Sequence, residues 1–411
     1  MSRRTRLLIR LAPSALVLAL ALAPTVAKAE RVPSPPTFIA NPELAQAPAA
    51  QPQAPAAQPK GRVRIQGRDQ AEEAPAPLPP PPGLQIDTRQ QMRKFLQSIT
   101  TFARRHNRNF SVVVKGGLEL LIRRDPVDET RYSPARTYMR SIDGVMVDGL
   151  FFGNRVFGEP TSTVRTERNL RLTEMAKANG LKVFVMDYGT DPKTVDESNR
   201  RNKKRGYVST TLHAPLAELG SLPPYPSRPY GENPNSIISL KNVNTFAYIT
   251  NSAAFGRADE FAMKMHGTNY DLLIVDVLHG RNPLSRKAVE TLKFKKIGAR
   301  RLVFATVNIG TAASYRFYWK ANWREGSPAW IKAPVRDDPD RYHVEFWRPE
   351  WQRIIYGDTK SYVYGLITLG FDGVILEGIE ESYRFFEGGG EQEEEEPAPP
   401  PPAQAPAATA Q

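Results

Sequence analysis

The chain has no cysteine. That excludes disulfides, thiolate-bound metals and a cysteine nucleophile. Histidine is nearly as scarce. His106, His213, His266, His279 and His343 are the full set, and no two of them stand at a spacing that metal ligation uses. There is no glycine-rich phosphate loop and no serine nucleophile elbow. The expectation is therefore a protein with neither metal nor cofactor. Beyond the N-terminal apolar run, no stretch is long and apolar enough to cross a bilayer. Acidic residues are outnumbered, leaving a formal charge of +13. Such a surface attracts anionic partners. No aromatic–basic interleaving points to nucleic acid. The excess reads as a solvated basic surface that would favour contact with an anionic glycan or the cell wall.

What is present begins with an export pattern. Arg3, Arg4, Arg6 and Arg10 form a basic region, Ala15 to Ala23 is apolar, and Ala27-Lys-Ala29 fits a small-x-small cleavage site. Residues 1–29 read as a signal peptide, and the mature protein as periplasmic or secreted. Residues 30–85 are a Pro/Ala-rich linker that cannot bury a core, and 388–411 an acidic, Pro/Ala-rich tail; both are expected to be disordered. The folded part is 86–387, roughly 300 residues, in the size range of an eight-stranded α/β barrel.

Within it, short apolar runs alternate with helix-length segments. The runs are 110–115, 142–148, 181–187, 206–213, 244–250, 271–276, 301–308 and 370–378. Helical patterns lie at 90–105, 165–179, 283–297 and 349–369. Runs that are apolar on both faces fit parallel strands covered by helices. Eight of them predict an α/β fold closed as a (β/α)8 barrel. Four of the strands end on an acid: Asp148, Asp187, Asp276 and Glu377. At the carboxyl ends of barrel strands all four would face one mouth, although an acid there also serves as a helix cap. Glu377 and Asp148 are the pair on which glycosidic hydrolysis would rest, one protonating the leaving oxygen and the other attacking or activating water. Asp276 and Asp187 would orient substrate. Tyr315, Tyr318, Trp319, Trp323, Trp330 and Trp347 crowd between the last two strands, and some of them would stack on sugar rings.

Four segments resemble successive motifs of glycoside hydrolase family 114, the endo-α-1,4-polygalactosaminidase-like barrels. They are Tyr270-Asp-Leu-Leu-Ile-Val-Asp276, the stretch from Asn308-Ile-Gly310 to Tyr315-Arg-Phe-Tyr-Trp319, Glu345-Phe-Trp-Arg-Pro-Glu-Trp-Gln352 and Gly370-Phe-Asp-Gly-Val-Ile-Leu-Glu377. The first half of the chain resembles the family's second half, so the order reads as a circular permutation. The resemblance implies an exported, endo-acting hydrolase of an amino-sugar-containing or related glycan. It adds Asn308, Tyr315, Arg316, Tyr318 and Trp347 as substrate contacts. The chain departs from the family in having Glu377 where Asp is usual, Asp148 where Glu is frequent, and no acid in Gly310-Thr-Ala-Ala-Ser314. A +13 protein also repels cationic polygalactosamine at long range, so an N-acetylated or acidic glycan fits better. The alternative is a non-catalytic envelope protein that binds glycan through a degenerate barrel mouth.

Overall fold

A computed structural model describes residues 86–125, 131–216, 219–336 and 338–388. The expected signal peptide, the linker and the tail from 389 onward lie outside the described residues. Eight parallel strands form one sheet: β1 (Ser111–Lys115), β2 (Gly144–Asp148), β3 (Lys182–Tyr188), β4 (Val208–Leu212), β5 (Phe246–Ile249), β6 (Leu272–Val275), β7 (Leu302–Asn308) and β8 (Gly373–Glu377). They are hydrogen-bonded in the order β4-β3-β2-β1-β8-β7-β6-β5. The first and last strands therefore pair with each other, Ser111 with Gly373 through to Val114 with Leu376. β4 and β5 lie side by side without a ladder. The sheet is a nearly closed α/β barrel whose one seam falls in the middle of the chain.

The alternation of side chains explains the apolar runs. Val113, Met146, Phe184, Met186, Phe246, Ile274, Phe304 and Ile375 point inward and fill the barrel. Val112, Val114, Val145, Val147, Val185, Val275, Val374 and Leu376 point outward against the helices. Both faces are dry, so polar alternation is absent. Gly373 has a packing reason. A Cβ there would come within 2.6 Å of the Phe304 ring and of the Ser111 carbonyl. At the amino ends, three aspartates brace the strands. Asp143 accepts from the Val112 amide at 2.7 Å, Asp372 from Val303 at 3.0 Å and Asp271 from Asn244 at 2.8 Å. Asp372 also pairs with Lys293, and Asp271 with the fully buried Lys295. The Asp-Gly motifs at 143–144 and 372–373 thus serve the barrel floor, where stability resides.

The helices are α1 (Thr88–His106), α2 (Arg136–Met139), α3 (Thr163–Ala178), α4 (Pro192–Arg205), α5 (Ala258–His266), α6 (Arg286–Leu292), α7 (Pro349–Ile355), α8 (Tyr362–Leu369) and α9 (Ile379–Phe386). α1 buries Met92, Phe95, Leu96, Ile99, Phe102 and Ala103, a stripe at helical spacing. Asp87 caps it, accepting from the Gln90 amide at 2.8 Å. It packs beside α8, α9 and α2, over the join of last strand to first. There the described ends meet. Glu387 accepts from the Thr88 hydroxyl at 2.8 Å and from Arg89 Nε and Nη2 at 2.9 and 3.0 Å.

The helix expected over 349–369 is two helices, α7 and α8, parted at Gly357, whose φ of +126° no helix accommodates. The one over 283–297 shortens to α6. Between β4 and β5 no α-helix forms among the described residues. Instead a strap crosses the seam. Tyr225 and Tyr230 both donate to Asp196 on α4. Ile237, Leu240 and Val243 then join the inner core beneath the strands.

Candidate active site

Period-two alternation decides which strand-end residues reach the mouth. On β8 Ile375 points inward, so Glu377 does too; on β2 the same holds for Met146 and Asp148. On β1, lying between them, Val113 points inward and so does Lys115. The three side chains meet. Lys115 Nζ is 2.9 Å from Asp148 Oδ2 and 3.4 Å from Glu377 Oε1. These two oxygens can be no further apart than the sum of those distances. The side chains are 14% (Lys115), 24% (Glu377) and 36% (Asp148) exposed, a floor open to solvent from above.

Two phenols complete this floor. Tyr248, inward on β5, donates to Glu377 Oε1 at 2.6 Å, and Tyr188, at the end of β3, donates to Asp148 Oδ1 at 3.2 Å. Burial, then the nearby carboxylates, push both phenols well above the ordinary tyrosine value, so they remain hydrogen-bond donors. Burial opposes the charge on Lys115. The attraction of Asp148 and Glu377 outweighs it and holds the ammonium protonated above lysine's ordinary value. Lys115 is therefore a fixed cation and not an amine ready for Schiff-base chemistry.

Asp187 does not reach the mouth. Met186 and Tyr188 take the inward positions, and Asp187 turns into the helix layer with no exposure. Its Oδ1 accepts from the Phe151 and Phe152 amides at 2.9 and 3.3 Å, and its Oδ2 from Ser198 at 2.6 Å and Asn202 at 3.3 Å. It ties the loop after β2 to α4. Burial raises its carboxyl above the ordinary value, with the hydrogen bonds opposing. Asp276 follows β6 at the mouth and is engaged. Arg316 grips it with two bonds of 2.8 and 2.6 Å, and the Leu278 amide donates at 2.8 Å. Asn308 pairs in register with Glu377 and accepts from the Gly310 and Thr311 amides at 3.1 and 2.9 Å. Gly378 follows Glu377 in the left-handed region (φ +74°), where a Cβ would collide with the Asn308 amide. The backbone thus packs directly on that side chain.

The aromatic candidates divide. Tyr315 is 49% exposed; it accepts from Arg341 at 2.7 Å, and the Arg316 guanidinium lies 5.5 Å from its ring centre. Tyr318 accepts from the Ala313 amide at 3.1 Å and packs edge-on against Trp351. Trp347 packs edge-on against Phe346 and Phe386. Trp323 packs edge-on against both Trp319 and Trp330. Of this crowd, Tyr315 is the ring that remains open.

Sequence reasoning missed Lys115, Tyr248 and Tyr188. Lys115 had a readable signal: it closes an apolar strand at the same structural place as the acids, with the opposite charge. Among the described residues no group of three or more His, Asp or Glu could hold a metal ion, and no helix is long and apolar enough to cross a membrane. A cleft of about 330 Å³ lies elsewhere, at the amino ends of β4 and β5, lined by Lys182, Asn199, Tyr207, Thr211, Tyr230 and Phe246.

The fold and the mouth define an α/β barrel with carboxylates at the carboxyl ends of its strands. No family model matches the chain. It is similar to uncharacterized proteins of three organisms. The one from Methanocaldococcus jannaschii is 29% identical over 164 residues, covering 38% of this chain and 44% of that protein. One from Thermotoga maritima is 29% identical over 118 residues, with coverages of 29% and 35%. One from Deinococcus radiodurans is 36% identical over 84 residues, with coverages of 20% and 26%. The chain spans less than half the length of these curated relatives. Among solved structures, a hyperthermophilic endo-β-1,4-glucanase in complex with substrate aligns over 67% of this chain and 91% of its own. At 11% identity and a TM-score of 0.24, that likeness is too distant to bear on fold or function.

Proposed function

We propose that this chain is an exported glycoside hydrolase acting on an amino-sugar-containing or related glycan, with Glu377 and Asp148 as its catalytic pair. The observation that carries the reading is the pair itself. Two carboxylates from different strands converge at the carboxyl-end mouth of a barrel and share one ammonium. Glu377 is the better nucleophile. It is the less exposed of the two, and Tyr248 fixes its orientation. Asp148 is more open and stands where a leaving oxygen would take a proton. Lys115 stabilises charge on both. The motif resemblance to family 114 supports the substrate class, and the seam between β4 and β5 supports the permuted order. Export rests on the pattern in residues 1–29.

The test is release of reducing ends from α-1,4-linked galactosaminan, in N-acetylated and free-amine forms. Glu377→Gln and Asp148→Asn should each lower the rate by at least a hundredfold while the fold, read by circular dichroism, is unchanged. A Glu377→Gln variant that cleaves normally would refute the assignment.

One feature of the same floor favours the second reading, a non-catalytic glycan-binding barrel. A single ammonium pairs with both acids at once, and each acid also accepts from a tyrosine, so both carboxylates are already engaged within the floor. Under that reading the unaltered chain binds polysaccharide in affinity gels yet releases no reducing ends on long incubation.

A further inference from the structure

We propose that the mouth receives a linear carbohydrate chain lying across the carboxylates, with Phe157 and Tyr315 as the platforms on which the sugars on either side stack. The proposal rests on the glycan reading above and adds the direction and the minimum reach of the substrate. Phe157 is 40% exposed, on the loop that follows β2. Its ring meets Tyr188 edge-on with centroids 6.3 Å apart, and Tyr188 in turn donates to Asp148. Tyr315, 49% exposed, follows β7 and flanks the Arg316–Asp276 pair. In the ring of eight strands, β2, which leads into the Phe157 loop, stands three places from β7, which leads into the Tyr315 loop, with β1 and β8 between them. The two open rings therefore flank the arc of the mouth that carries Asp148, Lys115 and Glu377.

Both rings are held in place. The Phe157 loop is anchored by the Asp187 carboxylate through the Phe151 and Phe152 amides, and closed by Gly153 N to Glu159 O at 2.7 Å and Thr161 N to Phe151 O at 2.9 Å. Tyr315 is fixed by Arg341. Neither ring is exposed because its segment is slack. Sugar rings offer an apolar C–H face to an aromatic and hydroxyls to charged groups, which matches an open ring beside paired charges on each side. A site that trims chain ends is blocked on one side of its catalytic pair. Here an exposed ring stands on each side of the pair, as internal cleavage requires.

The experiment measures binding in a Glu377→Gln background by calorimetry. The probes are di- and hexasaccharides of α-1,4-linked galactosamine, N-acetylated and free, and of β-1,4-linked N-acetylglucosamine. Phe157→Ala and Tyr315→Ala should each weaken hexasaccharide binding about tenfold, and their effects should add because the rings are far apart. A disaccharide occupies one side, so at most one substitution should weaken it. Phe157→Trp should retain hexasaccharide affinity. Hexasaccharide binding unchanged by Phe157→Ala, or a disaccharide weakened equally by both substitutions, would overturn the proposal while leaving the hydrolase reading intact. Failure of every probe to bind would overturn both.

Discussion

Lys115 is the residue on which the mouth's geometry turns, because its ammonium separates two carboxylates that would otherwise face each other. Lys115→Met leaves both acids without their cation. After discounting for the partial exposure of Asp148, the stability loss should be about 1–3 kcal/mol, measured by urea unfolding. Lys115→Arg should recover most of that loss. An unchanged midpoint in the methionine variant would mean that solvent already screens the triad. Asp187 makes the opposite case, a carboxylate that reads as a substrate contact in the sequence and is buried in the helix layer. Asp187→Ala strands the Phe151 amide and the Ser198 hydroxyl in a dry layer and should cost about 2–4 kcal/mol. Its raised titration has a definite sign. Between the ordinary carboxylate value and the raised one, the native state holds a proton that the unfolded chain has released, so this residue's contribution falls as pH rises through that interval. Asp187→Asn should flatten that part of the stability–pH curve. The sequence could not separate Asp187 from Asp148. Both end apolar runs, and strands buried on both faces carry no polar alternation from which to read parity. Only the observed register puts Tyr188, and not Asp187, beside the Asp148 carboxylate.

At the scale of elements, the strands were the legible part, since apolar runs bounded by glycine and charge mark all eight barrel strands. Helices were less so. α4, with Pro192 at its start and Gly206 at its left-handed end, carries clear caps but almost no apolar stripe, because its inner face is Val195 with the buried Ser198 and Asn202. Its packing is partly polar, built around Asp187, and an apolar template passes over it. The missing helix between β4 and β5 was visible only as a proline-rich crossing without periodicity. α1 shows the opposite balance. Its stripe reads plainly, and its role in covering the join of last strand to first makes it essential to closure. Phe95, 1% exposed and 5.9 Å from the ring of Tyr356, is its central anchor. Phe95→Ala should cost about 3–5 kcal/mol by thermal or urea unfolding. Loss of the Glu387 clasp in Glu387→Ala should cost at most about 1 kcal/mol, since the two side chains stay 25% and 31% exposed and the pair is screened by solvent. The reverse ranking would mean that polar tethering, and not burial, holds α1 to the barrel.

For the barrel as a whole, the ends of the described residues, at 86 and 388, and the seam lie on opposite sides of the ring. The seam, between β4 and β5, has no ladder and, among the described residues, no α-helix between its strands, whereas the first and last strands are paired residue for residue. The weak join is bridged by a strap, and the described ends meet beside the strong one. The connectivity is therefore separable from the fold. A chain beginning at Glu232, running to Glu387, joined by a short glycine–serine linker to Ile86 and ending at Gly231 keeps every strand neighbour. The cut leaves Tyr225 and Tyr230 with α4, and Ile237 and Leu240 with β5. Closely placed ends make such rearrangements tolerable. The linker restores an α9–α1 connection that Thr88, Arg89 and Glu387 already hold in place. The rearranged chain should fold with an unchanged far-ultraviolet circular dichroism spectrum and a melting temperature within a few degrees of a chain covering 86–387. A collapse of cooperative unfolding would show that the strap between β4 and β5 must stay continuous, and that the seam is closed by chain connectivity and not by packing.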